Sequence, residues 1–228
     1  MTEGGSPDHS PRHLRDRAEA GRLLGEALAA RAIERPVVLG LPRGGVPVAY
    51  VVSGRLRAPL DVLIVRKVGA PQNLEYGLGA VAEGGYRYLD AERIADAGLS
   101  EAGLAATVAA ESAEVARRAR AYRGGRPRVP LRGRDVIVVD DGVATGGTVL
   151  AAVGAVRADA PRTVRLAFGV CPSDTFGRLS REVDEVVTVL RPRHFFAVGE
   201  WYDAFPQVSD EEVLGLLAQA RARDAAPD

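Results

Sequence analysis

Residues 136–148 read Val136-Ile137-Val138-Val139-Asp140-Asp141-Gly142-Val143-Ala144-Thr145-Gly146-Gly147-Thr148. Four consecutive β-branched residues predict a buried strand, and an apolar helical pattern follows the loop to about residue 157. A strand that leads through a loop of small residues into a helix is typical of α/β folds with a parallel sheet. Asp140 would then lie at the carboxyl end of its strand, where open α/β sheets bind ligands.

The loop after this strand has the composition of an anion site. Thr145-Gly146-Gly147-Thr148 offers approachable backbone N–H groups and two hydroxyl donors at the start of a helix. Because Asp140 and Asp141 would repel a phosphate, we expect these carboxylates to face sugar hydroxyls or a magnesium ion. The run therefore predicts a ribose phosphate as ligand. An acidic helix cap after an ordinary strand is the alternative.

The flanking sequence continues the alternation of strands and helices. Short apolar runs predict further strands at 37–39, 60–65, 164–170 and 186–190. Helical patterns cover 14–33, the residues after Pro47, 102–122 and the residues after Ser209. Residues 66–77 are polar and aperiodic, which predicts a long mobile loop, and 78–82 with 86–89 predict a β-hairpin. We expect one α/β domain with a small appendage, after a disordered lead-in at 1–12.

The composition narrows the possible functions. The 228 residues carry 30 basic and 30 acidic side chains, so no net positive charge favours nucleic acid or an anionic membrane. No apolar run approaches the roughly 20 residues that a membrane span needs, and the polar residues 1–17 predict no signal peptide. A single cysteine, Cys171, excludes an internal disulfide. We expect a cytoplasmic protein with neither a nucleic-acid nor a membrane partner.

Lys67 is the only lysine among the 30 basic residues. A chain that otherwise uses arginine would keep a lysine where a compact, flexible ammonium group does what a guanidinium cannot. Lys67 is therefore a candidate functional residue, and a coding bias toward arginine is the alternative explanation.

Residues 136–148 resemble the phosphoribosyl-pyrophosphate (PRPP) motif of type I phosphoribosyltransferases. The chain has neither a P-loop pattern nor a dinucleotide-binding glycine pattern after a strand. The resemblance implies a mostly parallel central sheet flanked by helices in a single domain over 13–222, with a small hood formed by about 13–35 and 191–222. It also implies that Asp140 and Asp141 contact ribose hydroxyls and magnesium. The PRPP-binding residues of the loop would be Gly142, Val143, Ala144, Thr145, Gly146, Gly147 and Thr148.

Two earlier segments resemble other parts of the same family. Leu41-Pro42-Arg43-Gly44-Gly45 resembles the pyrophosphate-binding loop, which implies pyrophosphate contacts for Arg43, Gly44 and Gly45 and a cis peptide at Arg43–Gly44. Arg66-Lys67 begins what resembles the mobile catalytic loop, with Lys67 reaching the pyrophosphate as the loop closes. The resemblance thus implies Lys67, Arg43 and the acidic pair as catalytic residues and Arg66 as a further PRPP-binding residue.

Residues 195–203 resemble the hood segment of the hypoxanthine-type enzymes. By that register Phe196 would stack on the base, with Ala197 and Trp201 beside it, and Asp203 would approach the magnesium–pyrophosphate. Two positions depart from the pattern, because Ala144 stands where those enzymes carry an aspartate and Cys171 stands near the place of a base-reading lysine. The resemblance therefore leaves the acceptor open.

The expected activity is a magnesium-dependent transfer of the phosphoribosyl group of PRPP to a nucleobase or related nitrogen heterocycle, with release of pyrophosphate. The partners would be PRPP, pyrophosphate, a nucleobase-like acceptor and a second copy of the chain in a homodimer. Two alternatives stay open at this point. One is a PRPP-sensing regulator without turnover, and the other is hydrolysis or phosphoryl transfer on another ribose phosphate.

Overall fold

The computed structural model describes residues 13–225, so the lead-in predicted at 1–12 lies outside the described residues. Its helices are α1 Arg17–Ala29, α2 Gly45–Leu56, α3 Ala91–Asp96, α4 Glu101–Arg123, α5 Gly147–Arg157, α6 Ser173–Leu179 and α7 Asp210–Ala225. Its strands are β1 Val37–Gly40, β2 Leu60–Val62, β3 Val65–Ala70, β4 Asn73–Ala82, β5 Arg87–Leu89, β6 Asp135–Gly142, β7 Thr163–Val170 and β8 Glu185–Leu190.

The central sheet contains five parallel strands in the order β2-β1-β6-β7-β8, which confirms the predicted fold class. Strand β6 lies in the middle, and its side chains alternate between two apolar layers. Ile137 and Val139 pack into the layer that contains α1, α2 and α7. Val136 and Val138 pack into the layer that contains α5. Burial on both faces explains why β6 is an unbroken apolar run.

A second sheet, β3-β4-β5, is antiparallel. The hairpin predicted at 78–82 and 86–89 is present, with Ala80 opposite Tyr88. The prediction of a long loop over 66–77 is wrong, because β3 and β4 pair through this stretch and Lys67 lies opposite Ala80. Two register irregularities at residues 68–70 interrupt the pairing. Helix α5 packs against this sheet as well as against the central one.

The two terminal segments meet beside the central sheet. Leu14 forms a parallel bridge with Tyr202, in which the Leu14 N–H donates to the Trp201 carbonyl at 2.9 Å. Helix α1 packs on α2, and α7 packs on the same helix. The bounds of the domain and of a hood stay predictions. Within residues 13–225, no helix is both long enough and apolar enough to cross a membrane.

Candidate functional site

Two carboxylates lie at the carboxyl end of β6, which the parallel sheet holds in its centre. The Asp141 N–H donates to Oδ1 of Asp140 at 2.9 Å. Burial raises the pKa of Asp140 well above its ordinary value, and the charge of Asp141 raises it further. The surroundings of Asp140 therefore favour its neutral form.

Asp141 is paired with a residue that the sequence did not indicate. Nε of Arg17, on α1, lies 2.8 Å from Oδ2 of Asp141, and both side chains are about nine-tenths buried, at 10% and 11% exposure. The Arg17 guanidinium also donates to the Pro206 carbonyl at 2.7 Å and lies 3.8 Å from the ring centroid of Phe205. Arg17 thus ties α1, the acidic pair and the C-terminal segment together.

The loop 41–45 packs directly against the acidic pair. A Cβ on Gly44 would lie 2.1 Å from Oδ2 of Asp141, and one on Gly45 would lie 2.8 Å from Oδ1 of Asp140. Only glycine permits this approach. The prediction of a cis peptide at Arg43–Gly44 is wrong by one bond, because the cis peptide lies between Pro42 and Arg43.

These groups open into a cavity of about 530 Å³, here called the acidic cavity. It is lined by Arg17, Pro42, Arg43, Gly44, Asp140, Asp141, Val198, Phe205, Pro206, Gln207 and Val208. Arg43 lies at its rim, where Nη1 is 3.8 Å from Oδ1 of Asp210. The structure therefore brings Arg43, Gly44 and both carboxylates together, and Gly45 packs against them from α2.

Tyr202 fixes the C-terminal segment against the same strand end. Its hydroxyl donates to the Asp141 carbonyl at 2.6 Å, and its ring lies 4.9 Å from that of Phe205. Burial raises the pKa of Tyr202, so the hydroxyl stays a donor. This hydrogen bond holds the segment that carries Phe205 over the acidic cavity.

A second cavity of about 230 Å³, the phosphate-loop cavity, lies at the start of α5. It is lined by Lys67, Gly77, Gly79, Tyr88, Asp90, Arg93, Thr145, Gly147, Thr148, Leu150 and Arg178. Gly146 has a φ of 73°, in the left-handed region that favours glycine, and it precedes the first residue of α5. The only lysine thus faces the loop of the PRPP-like motif, together with two arginines that the sequence did not single out.

The first half of the motif loop has structural contacts. The Val143 side chain is buried in the core. The Ala144 carbonyl accepts a hydrogen bond of 2.6 Å from Oγ1 of Thr175, on α6. Thr145 and Thr148 are exposed to the phosphate-loop cavity. Gly142, Val143 and Ala144 are not among the described residues that line either cavity, so their contacts with PRPP stay predictions.

Several predicted site residues do not line either cavity. Arg66 points to the other face of its strand, because Nε pairs with Oε2 of Glu111 on α4 at 2.7 Å. Phe196 is 88% exposed. Ala197, Trp201 and Asp203 lie in the same segment, and the Asp203 carboxylate is 3.8 Å from Nδ1 of His13. Their roles in base and magnesium binding stay predictions, whereas Val198 and Phe205 line the acidic cavity.

Cys171 is buried at the end of β7. Burial raises the pKa of its thiol to about 12, so the thiol is protonated and unreactive at neutral pH. Such a thiol is poorly suited to act as a covalent nucleophile.

Comparisons with known proteins identify relatives of this chain. The family model of the phosphoribosyl transferase domain matches residues 14–189. Two Mycobacterium tuberculosis proteins, "Putative phosphoribosyl transferase Rv0571c" and "Putative phosphoribosyl transferase MT0597", are each 45% identical over 220 residues, which is 93% of this chain and 50% of each relative. The chain thus spans about half the length of these relatives.

A solved structure extends the match over nearly the whole of a related chain. The crystal structure of TT1426 from Thermus thermophilus superposes with a TM-score of 0.79 at 45% identity, covering 91% of this chain and 98% of that one. Because the family model covers well over half of the sequence, the chain belongs to the phosphoribosyl transferase domain family.

Proposed function

We propose that this member of the phosphoribosyl transferase family transfers the 5-phosphoribosyl group of PRPP to a nitrogen of a nucleobase or related heterocycle. The observation that carries the proposal is the contact between its two motifs. Gly44 lies against the Asp141 carboxylate with no room for a Cβ, and the loop that follows the acidic pair opens into the phosphate-loop cavity. Groups suited to pyrophosphate, ribose and 5′-phosphate are therefore adjacent.

The reaction makes one bond and breaks one. The lone pair of the acceptor nitrogen forms a bond to C1′ of the ribose while the C1′–O bond to pyrophosphate breaks and its electron pair leaves with pyrophosphate. The proton on the acceptor nitrogen is then released. Positive charge develops on the ribose, and negative charge grows on the leaving group, so fixed charges near both lower the barrier.

The residues of the acidic cavity would serve the ribose and the pyrophosphate. Arg43, Gly44 and Gly45 would bind pyrophosphate, and the carboxylates of Asp140 and Asp141 would lie beneath the cationic ribose. The Arg17 ion pair would orient the Asp141 carboxylate, whereas the raised pKa of Asp140 favours a protonated acid that a bound cation would ionise. The charge of Asp140 would thus depend on the bound ligand.

The residues of the phosphate-loop cavity would bind the other end of PRPP. Backbone N–H groups and hydroxyls of Thr145-Gly146-Gly147-Thr148 would contact the 5′-phosphate. Lys67 lines this cavity and would bind phosphate groups of PRPP there, extending to the pyrophosphate if β3 and β4 shift on ligand binding. Arg66 would support Lys67 through its pair with Glu111 rather than touch PRPP.

Magnesium is the proposed cofactor, and it would arrive with the substrate. Among residues 13–225, no three His, Cys, Asp or Glu side chains are grouped as a metal site. Mg²⁺ is commonly held by one or two carboxylates together with substrate phosphates and water. Asp140 and Asp141 fit that pattern, and bound Mg²⁺ would supply charge to the leaving pyrophosphate.

The test is release of pyrophosphate from PRPP, with and without magnesium, across a panel of purine, pyrimidine and other nitrogen heterocycles. The proposal expects magnesium-dependent release that requires one class of acceptor and yields the corresponding ribonucleotide. Tight PRPP binding without release would instead favour the regulator, and release without an acceptor would favour hydrolysis. A sedimentation measurement on the same sample tests the proposed homodimer.

A further inference from the structure

The phosphate-loop cavity contains a cationic side chain from α6 that the motif itself does not supply. We propose that Arg178 binds the 5′-phosphate of the ribosyl donor directly and makes the site selective for a phosphomonoester dianion. This inference rests on the proposed binding of PRPP. It extends the phosphate site from a backbone cradle to a contact with a side chain outside the motif.

The position of Arg178 follows from the anchoring of α6. Thr175 is buried, and its hydroxyl donates to the Ala144 carbonyl at 2.6 Å, which joins the helix to the motif loop. Residues three apart lie on the same face of a helix. Arg178 therefore lies over the same loop, and a Cβ on Gly146 would be 3.3 Å from its Nη2 atom.

The charge of the cavity matches the proposed ligand. Lys67, Arg93 and Arg178 bring three cations from three separate elements, and Asp90 is the one carboxylate among the described side chains of the lining. These described side chains have an excess of two positive charges, which is close in size and opposite in sign to the charge of a phosphomonoester, about −1.5 to −2 at neutral pH. The cavity is therefore electrostatically suited to a phosphate dianion.

Of the two arginines, Arg178 is the better placed for a ligand. Arg93 is held in place because its Nη1 donates to the Gly77 carbonyl at 3.0 Å and its guanidinium lies over the ring of Tyr76. The Arg178 guanidinium is exposed and makes no hydrogen bond or ion pair with a side chain that the structure describes. Its planar group can therefore bind two phosphate oxygens at once.

The experiment is calorimetric binding of ribose 5-phosphate, ribose and pyrophosphate to the full chain and its variants. Arg178→Gln should weaken ribose 5-phosphate binding roughly 10- to 100-fold, the loss expected for a charge-assisted contact. Arg178→Lys keeps the charge and should lose less, while pyrophosphate binding should be unchanged in both variants. Arg181→Gln is the matched control, since Arg181 is exposed three residues further along the chain and lies outside the cavity lining.

The outcomes separate this inference from the proposed transfer reaction. Unchanged ribose 5-phosphate affinity in a folded Arg178→Gln variant overturns the role of Arg178 and leaves the transfer intact. Equal losses for ribose 5-phosphate and pyrophosphate overturn it too, because the effect is then not local to one end of PRPP. A loss confined to ribose 5-phosphate supports the role even if the wild-type protein shows no transfer, in which case only the transfer fails.

Discussion

The acidic cavity and the phosphate-loop cavity hold their charged groups in different ways. In the acidic cavity, the side chains of Arg17 and Asp141 are about nine-tenths buried and form an ion pair, with Nε of Arg17 2.8 Å from Oδ2 of Asp141. In the phosphate-loop cavity, Lys67 and Arg178 are exposed and come from separate elements. Folding alone therefore places the charged groups of the acidic cavity, whereas a bound anion would order the cationic side chains of the phosphate-loop cavity. Substitutions in the first should change stability and activity together, and substitutions in the second should change activity alone.

The largest expected effect is that of Arg17→Met. This change leaves the Asp141 carboxylate buried without its cation, which should lower the free energy of unfolding by about 3–5 kcal/mol. Arg15→Met is the matched control, because the Arg15 side chain is 71% exposed and its pair with Glu19 is of the surface kind. Urea denaturation of both variants measures the difference. Equal stability of the two variants would show that the buried pair does not hold the acidic cavity together.

Lys67→Arg should reduce turnover without reducing stability. Lys67 packs across Gly77, where a Cβ would lie 2.6 Å from its Cε, so the bulkier guanidinium cannot take the same path. Loss of one charge-assisted contact is worth about 1.5–3 kcal/mol, or roughly 10- to 150-fold in kcat/KM.

The reciprocal change, Arg66→Lys, is the control for Lys67→Arg. Arg66 lies next to Lys67 but contacts Glu111 on the opposite face of the strand. The Arg66→Lys variant should therefore retain most of the wild-type turnover. Steady-state kinetics of both variants measure the difference. Wild-type turnover by Lys67→Arg would contradict a functional role for Lys67.

Gly44→Ala tests whether the acidic cavity depends on close contact. The φ of −60° at Gly44 suits alanine, so the expected loss of about 1–3 kcal/mol in stability would come from the clash of its Cβ with Asp141. PRPP affinity should fall with it. Gly177→Ala is the control, since a Cβ there meets nothing within 4 Å. Thermal unfolding measures the stability of the two variants, and calorimetry measures their PRPP affinity. Equal values for both variants would contradict a requirement for close packing at Gly44.

The smallest effect in this series concerns Asp140→Asn, which should stabilise the protein at neutral pH. The folded-state pKa of Asp140 is raised. Asp140 therefore contributes favourably to the free energy of unfolding below its unfolded-state pKa, and this contribution is lost as the pH rises through the folded-state pKa. Asparagine keeps an acceptor for the Asp141 N–H without the charge. We expect a gain of about 0.5–2 kcal/mol at pH 7, within the usual range for stabilising substitutions, that shrinks toward pH 3. Urea denaturation at both pH values measures it, and a gain that is the same at pH 3 would contradict the raised pKa.

The sequence predicted the central sheet better than the second one. Strand β6 is apolar at every position from 136 to 139, and both of its faces are buried, so its pattern is unambiguous. Strands β3 and β4 contain Arg66, Lys67, Gly77 and Gly79, which give no apolar alternation. Val68, Ala70 and Leu78 are buried, but charged residues and glycines separate them, so single-sequence periodicity does not report the pairing of the two strands.

The same contrast applies to the site. Residues 41–45 form one continuous run and residues 140–148 form another. The composition of each run indicates a binding site without knowledge of its contacts. Arg17 lies 124 positions from its partner Asp141, and Arg178 approaches Gly146 only because α6 folds back onto the loop. Nothing local distinguishes either residue from the other arginines, so these contacts required the fold.

The most direct test of this account is the crystal structure of the protein with magnesium and PRPP. We predict the pyrophosphate in the acidic cavity beside Arg43 and Gly44, the ribose hydroxyls at Asp140 and Asp141, and the 5′-phosphate in the phosphate-loop cavity beside Thr145 and Arg178. PRPP bound with both ends in one cavity, or with its 5′-phosphate at Arg43, would contradict it.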